Sequence, residues 1–162
     1  MPPTESVGGA APALGRAAIA ITPLAPADRA RWEDLARGYK TFYETELPPS
    51  RYEATWQRLL RGDGIYGVGA HLDGALVGIA HYLFHAHVWM DDICYLQDLF
   101  VDERARGRGV ARALIERVAE AARQRGAPRF YWQTRQDNAR ARALYDTLAR
   151  FNGFIRYDYP VE

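Results

Sequence analysis

Cysteine is almost absent. Cys94 is the only one in 162 residues, which excludes an intramolecular disulfide framework and makes a reducing compartment, the cytoplasm, the simplest expectation. Long apolar runs are missing too: no stretch approaches the roughly 18–20 residues that a membrane span needs. The opening MPPTESVGGAAPALGRAA has neither the charged start nor the continuous apolar run of a signal peptide, so no membrane partner is expected. Nor is there an excess of one charge. Against 21 Lys+Arg stand 20 Asp+Glu, a net +1 with a pI near 7.9, too weak a field to draw nucleic acid or a membrane by itself. Of the basic residues only Lys40 is a lysine, a bias that carries no chemistry.

What is present, 48% hydrophobic and 25% charged residues, suits one globular domain with a real core. Residues 1–17, rich in Ala, Gly and Pro, read as a flexible tail. The single domain is then 18–162. Ala18–Thr22 has the pattern of a first strand ended by Pro23, and Pro26–Asp28 offers helix-start residues. Trp32, Leu35, Ala36, Tyr39, Phe42 and Tyr43 share one helical face. After Pro48-Pro49, Ser50 and Glu53 sit at capping-box spacing ahead of a stripe of Tyr52, Trp56, Leu59 and Leu60 that stops at Gly62.

Tyr66–Leu72 and Ala75–Phe84 are β-rich and joined by Asp73-Gly74, a pair that tolerates positive φ and so predicts a two-residue hairpin. Ile93–Val101 is a further strand, apolar enough for burial on both faces toward its end. Val110, Leu114, Val118 and Ala122 make a helical stripe, closed by Gly126 and Pro128. Arg129–Thr134 predicts a strand, Asn138–Phe151 a last helix and Phe154–Tyr159 a closing strand. The order β-α-α-β-β-β-α-β-α-β predicts a mixed α/β layer architecture with a β-α-β unit near its end.

The junction between strand Tyr95–Val101 and the next helix carries the chemistry. Asp102-Glu103-Arg104-Ala105 leads into Arg106-Gly107-Arg108-Gly109-Val110-Ala111-Arg112. Glycines let a backbone approach an anion, and the first amides of a helix are unpaired donors at the positive end of its dipole. The junction can therefore cradle a pyrophosphate. For a bare Gly-x-Gly a solvated turn is the commoner account; the strand before it and helix after it reverse that. No Gly-Lys-Ser/Thr follows, so the triphosphate loop with its lysine and magnesium ligand is excluded. The full dinucleotide fingerprint is absent as well.

With Arg106, Gly109 and Ala111 the loop resembles the pyrophosphate motif of the GNAT superfamily of N-acetyltransferases. GALVGIAHYLF, YLQDLFVDERARGRGVARAL and NARARALYDTLARFNGF fall in that family's order, a resemblance covering about residues 18–160. It implies the acyl-CoA N-acyltransferase fold: a mixed central sheet splayed at the strand before the loop, with helices on both faces. It also implies acetyl-CoA as cosubstrate, with no metal. The main chain of Leu99, Phe100 and Val101 would bond the pantetheine arm, Arg106, Gly107, Arg108, Gly109, Val110, Ala111 and Arg112 the pyrophosphate, and Asn138 the arm. Tyr145 would be the general acid that protonates the departing thiolate, a role suited to a hydroxyl that is a donor at neutral pH.

The stretch GIAHYLFHAHVWMDDICYLQDLFV is similar to part of the spermidine/spermine acetyltransferases and of the fungal Hpa-type histone and polyamine acetyltransferases. Where the polyamine enzymes have Glu-Asp, this chain has Gln97-Asp98. Glutamine cannot take a proton near pH 7, so Asp98, or a water held by neighbouring carbonyls, is the candidate base. For the acceptor, Glu44, Glu46, Asp91, Asp92 and Asp98 form a set able to attract a cationic amine, with a solvated acidic face as the equally ordinary account. Tyr39, Phe42, Tyr43 and Trp89 could wall the pocket, and Gln97 would stand beside it.

His81, His85 and His87 share strand parity, but no Cys or acidic ligand joins them at a metal-site spacing. Nothing near Cys94 marks it as an activated nucleophile. The resulting expectation is direct attack of a primary amine, from a small cationic molecule such as a polyamine or from a basic peptide or amino acid, on acetyl-CoA. A noncatalytic CoA-binding domain is the alternative that Gln97 keeps open. Nucleic-acid binding through Arg104–Arg125 is opposed by the neutral overall charge. The closing strand would suit pairing between two copies, which leaves a homodimer open.

Overall fold

The computed structural model describes residues 18–161; the expectation of a tail over 1–17 lies outside them. Strand β1 (Ile19–Pro23) is followed by a 3₁₀ turn and helices α1 (Arg29–Phe42) and α2 (Pro49–Arg61). Then come β2 (Ile65–Leu72), β3 (Ala75–His85) and β4 (Ile93–Val101), a second 3₁₀ turn, α3 (Val110–Gln124), β5 (Phe130–Trp132) and α4 (Ala139–Leu148). The five strands lie in sequence order in one sheet. β1 to β4 pair antiparallel and β5 joins β4 parallel, as a crossover through α3 requires.

Helices cover both faces. Val110, Leu114, Ile115, Val118 and Ala122 of α3 pack with Ala80, Tyr82, Cys94 and Leu96 on one side, where Leu144 and Tyr145 of α4 join them. On the other side Trp32, Leu35 and Ala36 of α1 and Tyr52, Trp56 and Leu59 of α2 close over Leu76 and Ile79. These are the apolar stripes read from helical spacing. The Asp73-Gly74 turn forms as expected, with φ of +50° and +80° at its two central residues.

Three expectations need correction. Phe154–Tyr159 forms no strand: after α4 the described chain has neither helix nor strand, and Phe154, Ile155, Tyr157 and Tyr159 are exposed. Alternating apolar residues make a segment fit for a sheet, but a strand also needs a neighbour's hydrogen bonds, and here none is supplied. α4 stops at Leu148 rather than Phe151. Ser50 does not cap α2, because Pro49 opens the helix with Pro48 before it; proline is favoured at a first position whose amide has no partner anyway. Among the described residues no helix is long and apolar enough to cross a membrane.

Candidate active site

β4 runs to Val101, but its pairing with β5 ends where Leu96 meets Trp132. Beyond Leu96 the two parallel strands part, and among the described residues no strand pairs with β4 on that side. The opening is a cleft between the two strands, along which residues 98–100 have no strand partner on that side, while the Gln97 and Val101 carbonyls accept from Tyr39 and Arg106 side chains.

A bulge lies at the same point. His81 pairs with Asp98 and Tyr82 with Leu96, so Gln97 is the extra residue. In a regular strand Asp98 would share a face with Cys94 and Leu96, inside the α3 core. One added residue reverses the parity. Leu99 and Val101 now join that core, while Phe100 and Asp98 turn toward α1. Gln97 is left exposed.

At the end of β4 the chain makes a 3₁₀ turn in which the Asp102 carboxylate accepts from the Arg104 amide at 2.9 Å and also pairs with Arg31 of α1. Arg106 folds back, donating through Nε to the Val101 carbonyl at 3.2 Å and through a guanidinium NH₂ to Glu103 at 3.0 Å. Gly107 and Gly109 take φ of +75° and +87°, the left-handed region, and the space where either would carry a Cβ is open. α3 then starts with Gly109 as its N-cap and no side chain capping it. Ala113 is the first amide to bond back, to Gly109 at 3.0 Å. The amides of Val110, Ala111 and Arg112 are therefore the unpaired ones. The Val110 side chain is buried and anchors the helix, leaving only its main chain for a ligand. Arg108 is exposed, whereas Arg112 donates to Thr147 Oγ1 at 2.8 Å and ties α3 to α4.

After β5, Asn138 caps α4. Its Oδ1 accepts from the Ala141 amide at 3.4 Å and its Nδ2 donates to Thr134 Oγ1 at 3.1 Å. Tyr145, on α4, meets Trp132 of β5 edge to face at 5.3 Å. Burial, and then the nearby Tyr43, push its hydroxyl up to about 12, so it is a proton donor throughout the neutral range.

Tyr39, Tyr43, Gln97 and Asp98 come together. The Tyr39 hydroxyl stands 3.4 Å from the Gln97 carbonyl oxygen, and the Tyr39 and Tyr43 rings meet at 5.0 Å. Burial and the Asp98 carboxylate raise Tyr39 well above the ordinary tyrosine value. For Asp98 itself burial acts upward and is the largest single influence, but bonding to His81 and the charges around it bring the net shift downward. Asp98 is thus an anion held below the usual carboxylate range, which makes it a weaker base than an ordinary aspartate. Its stabilising contribution is complete above the unfolded value of 3.8 and lost as pH falls through the lower folded value. Melting of the wild type should accordingly fall between pH ~4 and ~2 more than that of Asp98→Asn; equal falls would remove Asp98 from the acid response.

Several candidates do not converge. Trp89 is 87% exposed on the β3–β4 connection, and Asp92 on the same connection approaches Arg125 at the C-terminal end of α3, so neither walls the cleft. Glu44, with φ of +54°, ends the α1 segment, and Glu46 lines a separate recess of about 440 Å³ with Arg37, Leu47 and Tyr52. The three histidines part company: His81 bonds Asp98, His85 bonds the Tyr131 hydroxyl at 3.0 Å, and His87 accepts from the Trp89 amide at 3.2 Å. Among the described residues no three His, Cys, Asp or Glu side chains gather as metal ligands. Burial pushes the Cys94 thiol up to about 11, the protonated, inert form at neutral pH. Sequence reasoning missed Trp32, which bonds His81, and Tyr95, which lies near Asp98, Tyr43 and Tyr131. Both depend on tertiary packing rather than on local spacing.

Comparison with known proteins identifies the family. A family model described as the acetyltransferase (GNAT) family matches residues 32–149. The D-amino-acid N-acetyltransferase HPA3 of Saccharomyces cerevisiae is 36% identical over 135 residues, 81% of this chain and 84% of that protein. The thialysine N-epsilon-acetyltransferase of Bos taurus is 33% identical over 119 residues, 74% and 70% of the two chains. Among solved structures, AAC(6')-Iy in complex with a bisubstrate analogue, CoA-S-monomethyl-acetylneamine, superposes with a TM-score of 0.79 over 90% of this chain and 99% of that one, at 20% identity. At that identity the likeness concerns the fold.

Proposed function

The chain belongs to the acetyltransferase (GNAT) family and is an acetyl-CoA-dependent N-acetyltransferase; from that premise we propose that it acetylates the primary amine of a small cationic molecule or amino acid by direct attack in a ternary complex. One observation carries this: the cleft where β4 leaves β5, with main chain that has no strand partner on one wall, unpaired α3 amides at one end and an anion with tyrosines beside the bulge.

In this proposal acetyl-CoA supplies the activated acyl group. The Val110, Ala111 and Arg112 amides take the pyrophosphate, with Arg108 adding charge, while Arg106 holds the loop in shape through Val101. The main chain of Leu99–Val101 on the side away from β3 receives the pantetheine arm, the Val101 carbonyl being already engaged by Arg106, and an amide near Leu99 donates to the oxyanion as the amine attacks the carbonyl. Asn138 fixes the start of the helix that carries Tyr145. Tyr145 gives its proton to the sulfur as the C–S bond breaks. Asp98 attracts the ammonium form, and a water against the neighbouring carbonyls accepts the proton the nitrogen must lose before attack. The two relatives' names, D-amino acid and thialysine acetyltransferases, support amino-acid amines as first candidates beside polyamines and basic peptides.

A thiol-release assay over D- and L-amino acids, thialysine, polyamines, basic peptides and aminoglycosides tests this. Release with at least one acceptor, at a rate set by that acceptor, is expected. CoA binding in calorimetry with no release for any amine would instead identify a sensor.

The exposed segment after α4 supports a homodimer. It presents Ile155, Tyr157 and Tyr159 to solvent, and β5 has an open edge in the same molecule. Light scattering should give a dimer for the full chain and a monomer for a chain ending at Phe151. A monomeric full chain at high concentration would overturn this.

A further inference from the structure

The bulge at Gln97 turns Asp98 into a chain of three buried polar groups. Trp32 Nε1 donates to His81 Nε2 at 2.9 Å, and His81 Nδ1 lies 2.9 Å from Asp98 Oδ2. An indole N–H can only donate, so Nε2 is the bare nitrogen of the ring. In the neutral imidazole the proton then sits on Nδ1 and is donated to the carboxylate. Both ring nitrogens are spent.

These groups are held from three elements. Trp32 of α1 is 1% exposed, packed 5.0 Å from Trp56 of α2 and 5.9 Å from the His81 ring, and His81 of β3 is 9% exposed. Asp98 keeps 14% of its side-chain surface open. The groups facing it are His81 from β3, Tyr39 and Lys40 from α1, and Tyr95 from β4, with Tyr43 behind Tyr39 and Tyr95. The side of the carboxylate toward His81 is fixed, and Tyr39, Lys40 and Tyr95 lie near the rest of it.

We propose that Trp32 and His81 are positioning residues that hold the Asp98 carboxylate as a fixed anion beside the Gln97 bulge, where with the Tyr39 hydroxyl it receives the ammonium group of the acceptor. The inference rests on the acetyl-transfer reading and names the cationic subsite of that same site. His81 relays no proton, because Trp32 blocks its second nitrogen; it aims the anion. Without the Nδ1–H the carboxylate would be largely buried with its strongest partner gone, free to turn or to be neutralised.

Steady-state kinetics of His81→Leu and His81→Asn test this with any amine the wild type acetylates. His81→Leu should raise the amine KM about 10–100-fold, the worth of a hydrogen bond to a charged group, with the acetyl-CoA KM nearly unchanged. It should also lose the preference for the amine over its isosteric alcohol as competing ligand. His81→Asn, whose amide can donate in place of Nδ1–H, should recover most of both. A folded His81→Leu with unchanged amine KM and preference would overturn the proposal, as would a His81→Asn as impaired as His81→Leu. Should His81→Leu fail to fold, ¹⁵N spectra of the wild-type imidazole decide: an Nδ1–H tautomer is expected, and an Nε2–H tautomer refutes the arrangement. A wild type that releases no thiol with any amine defeats the acetyl-transfer reading instead, and the tautomer spectrum still judges the network alone.

Discussion

Gly109→Asp is expected to abolish CoA binding in calorimetry while circular dichroism and melting stay close to those of the wild type. Position 109 has φ of +87°, and an added Cβ there meets nothing within 4 Å. The folding cost is therefore backbone strain alone, about 1–2 kcal/mol for a residue forced into the left-handed region, against a typical domain stability of about 5–15 kcal/mol. The effect on binding is larger because two terms act together. Gly109 is the N-cap of α3, and an aspartate there accepts hydrogen bonds from the very amides that would take the phosphate. Its charge also repels a pyrophosphate at the same spot. Gly109→Ala separates strain from charge: it should cost only part of the affinity. Normal CoA affinity in Gly109→Asp would mean that the phosphates lie elsewhere.

That loop was legible in the sequence because its signal is local. Arg106 to Ala111 follow a strand pattern and precede a stripe of Val110, Leu114 and Val118, and each feature depends on residues a few positions apart. The helices and the Asp73-Gly74 hairpin were legible for the same reason. What could not be read depends on pairing. Phe154–Tyr159 has the composition of a strand yet finds no partner in this chain. The bulge that turns Asp98 toward α1 is visible only in the register of β3 against β4, and sequence parity alone would send Asp98 to the α3 side. Strand parity groups His81 with His85 and His87, whereas its partners, Trp32 and Asp98, lie 49 and 17 residues away in the chain. Trp89 looked like a pocket wall by type and stands exposed at the other end of the strand.

Tyr145→Phe should lower kcat by about 10–10⁴-fold with little change in the affinity for acetyl-CoA. The Trp132 contact that holds the ring edge to face needs no hydroxyl, so phenylalanine should keep the packing. A donor pushed up to about 12 is a poor match for a thiolate in water, where thiols lie near 8.5. In the proposed complex the departing sulfur would not be in water. Burial in this same protein carries the Cys94 thiol up to about 11, and a CoA sulfur leaving within the cleft would be raised in the same direction by the same desolvation. The gap narrows at the moment the C–S bond breaks, when the proton is needed. The raised value also fixes the sign of the pH response: Tyr145 remains protonated past the ordinary tyrosine value of 10 and is half ionised only at about 12. Wild-type kcat should therefore not fall as pH rises through ~10, and the deficit of Tyr145→Phe should be constant over that range. A kcat unchanged by the substitution would remove Tyr145 from the chemistry, and a wild-type kcat that halves near pH ~10 would place an ordinary, solvated phenol in the role.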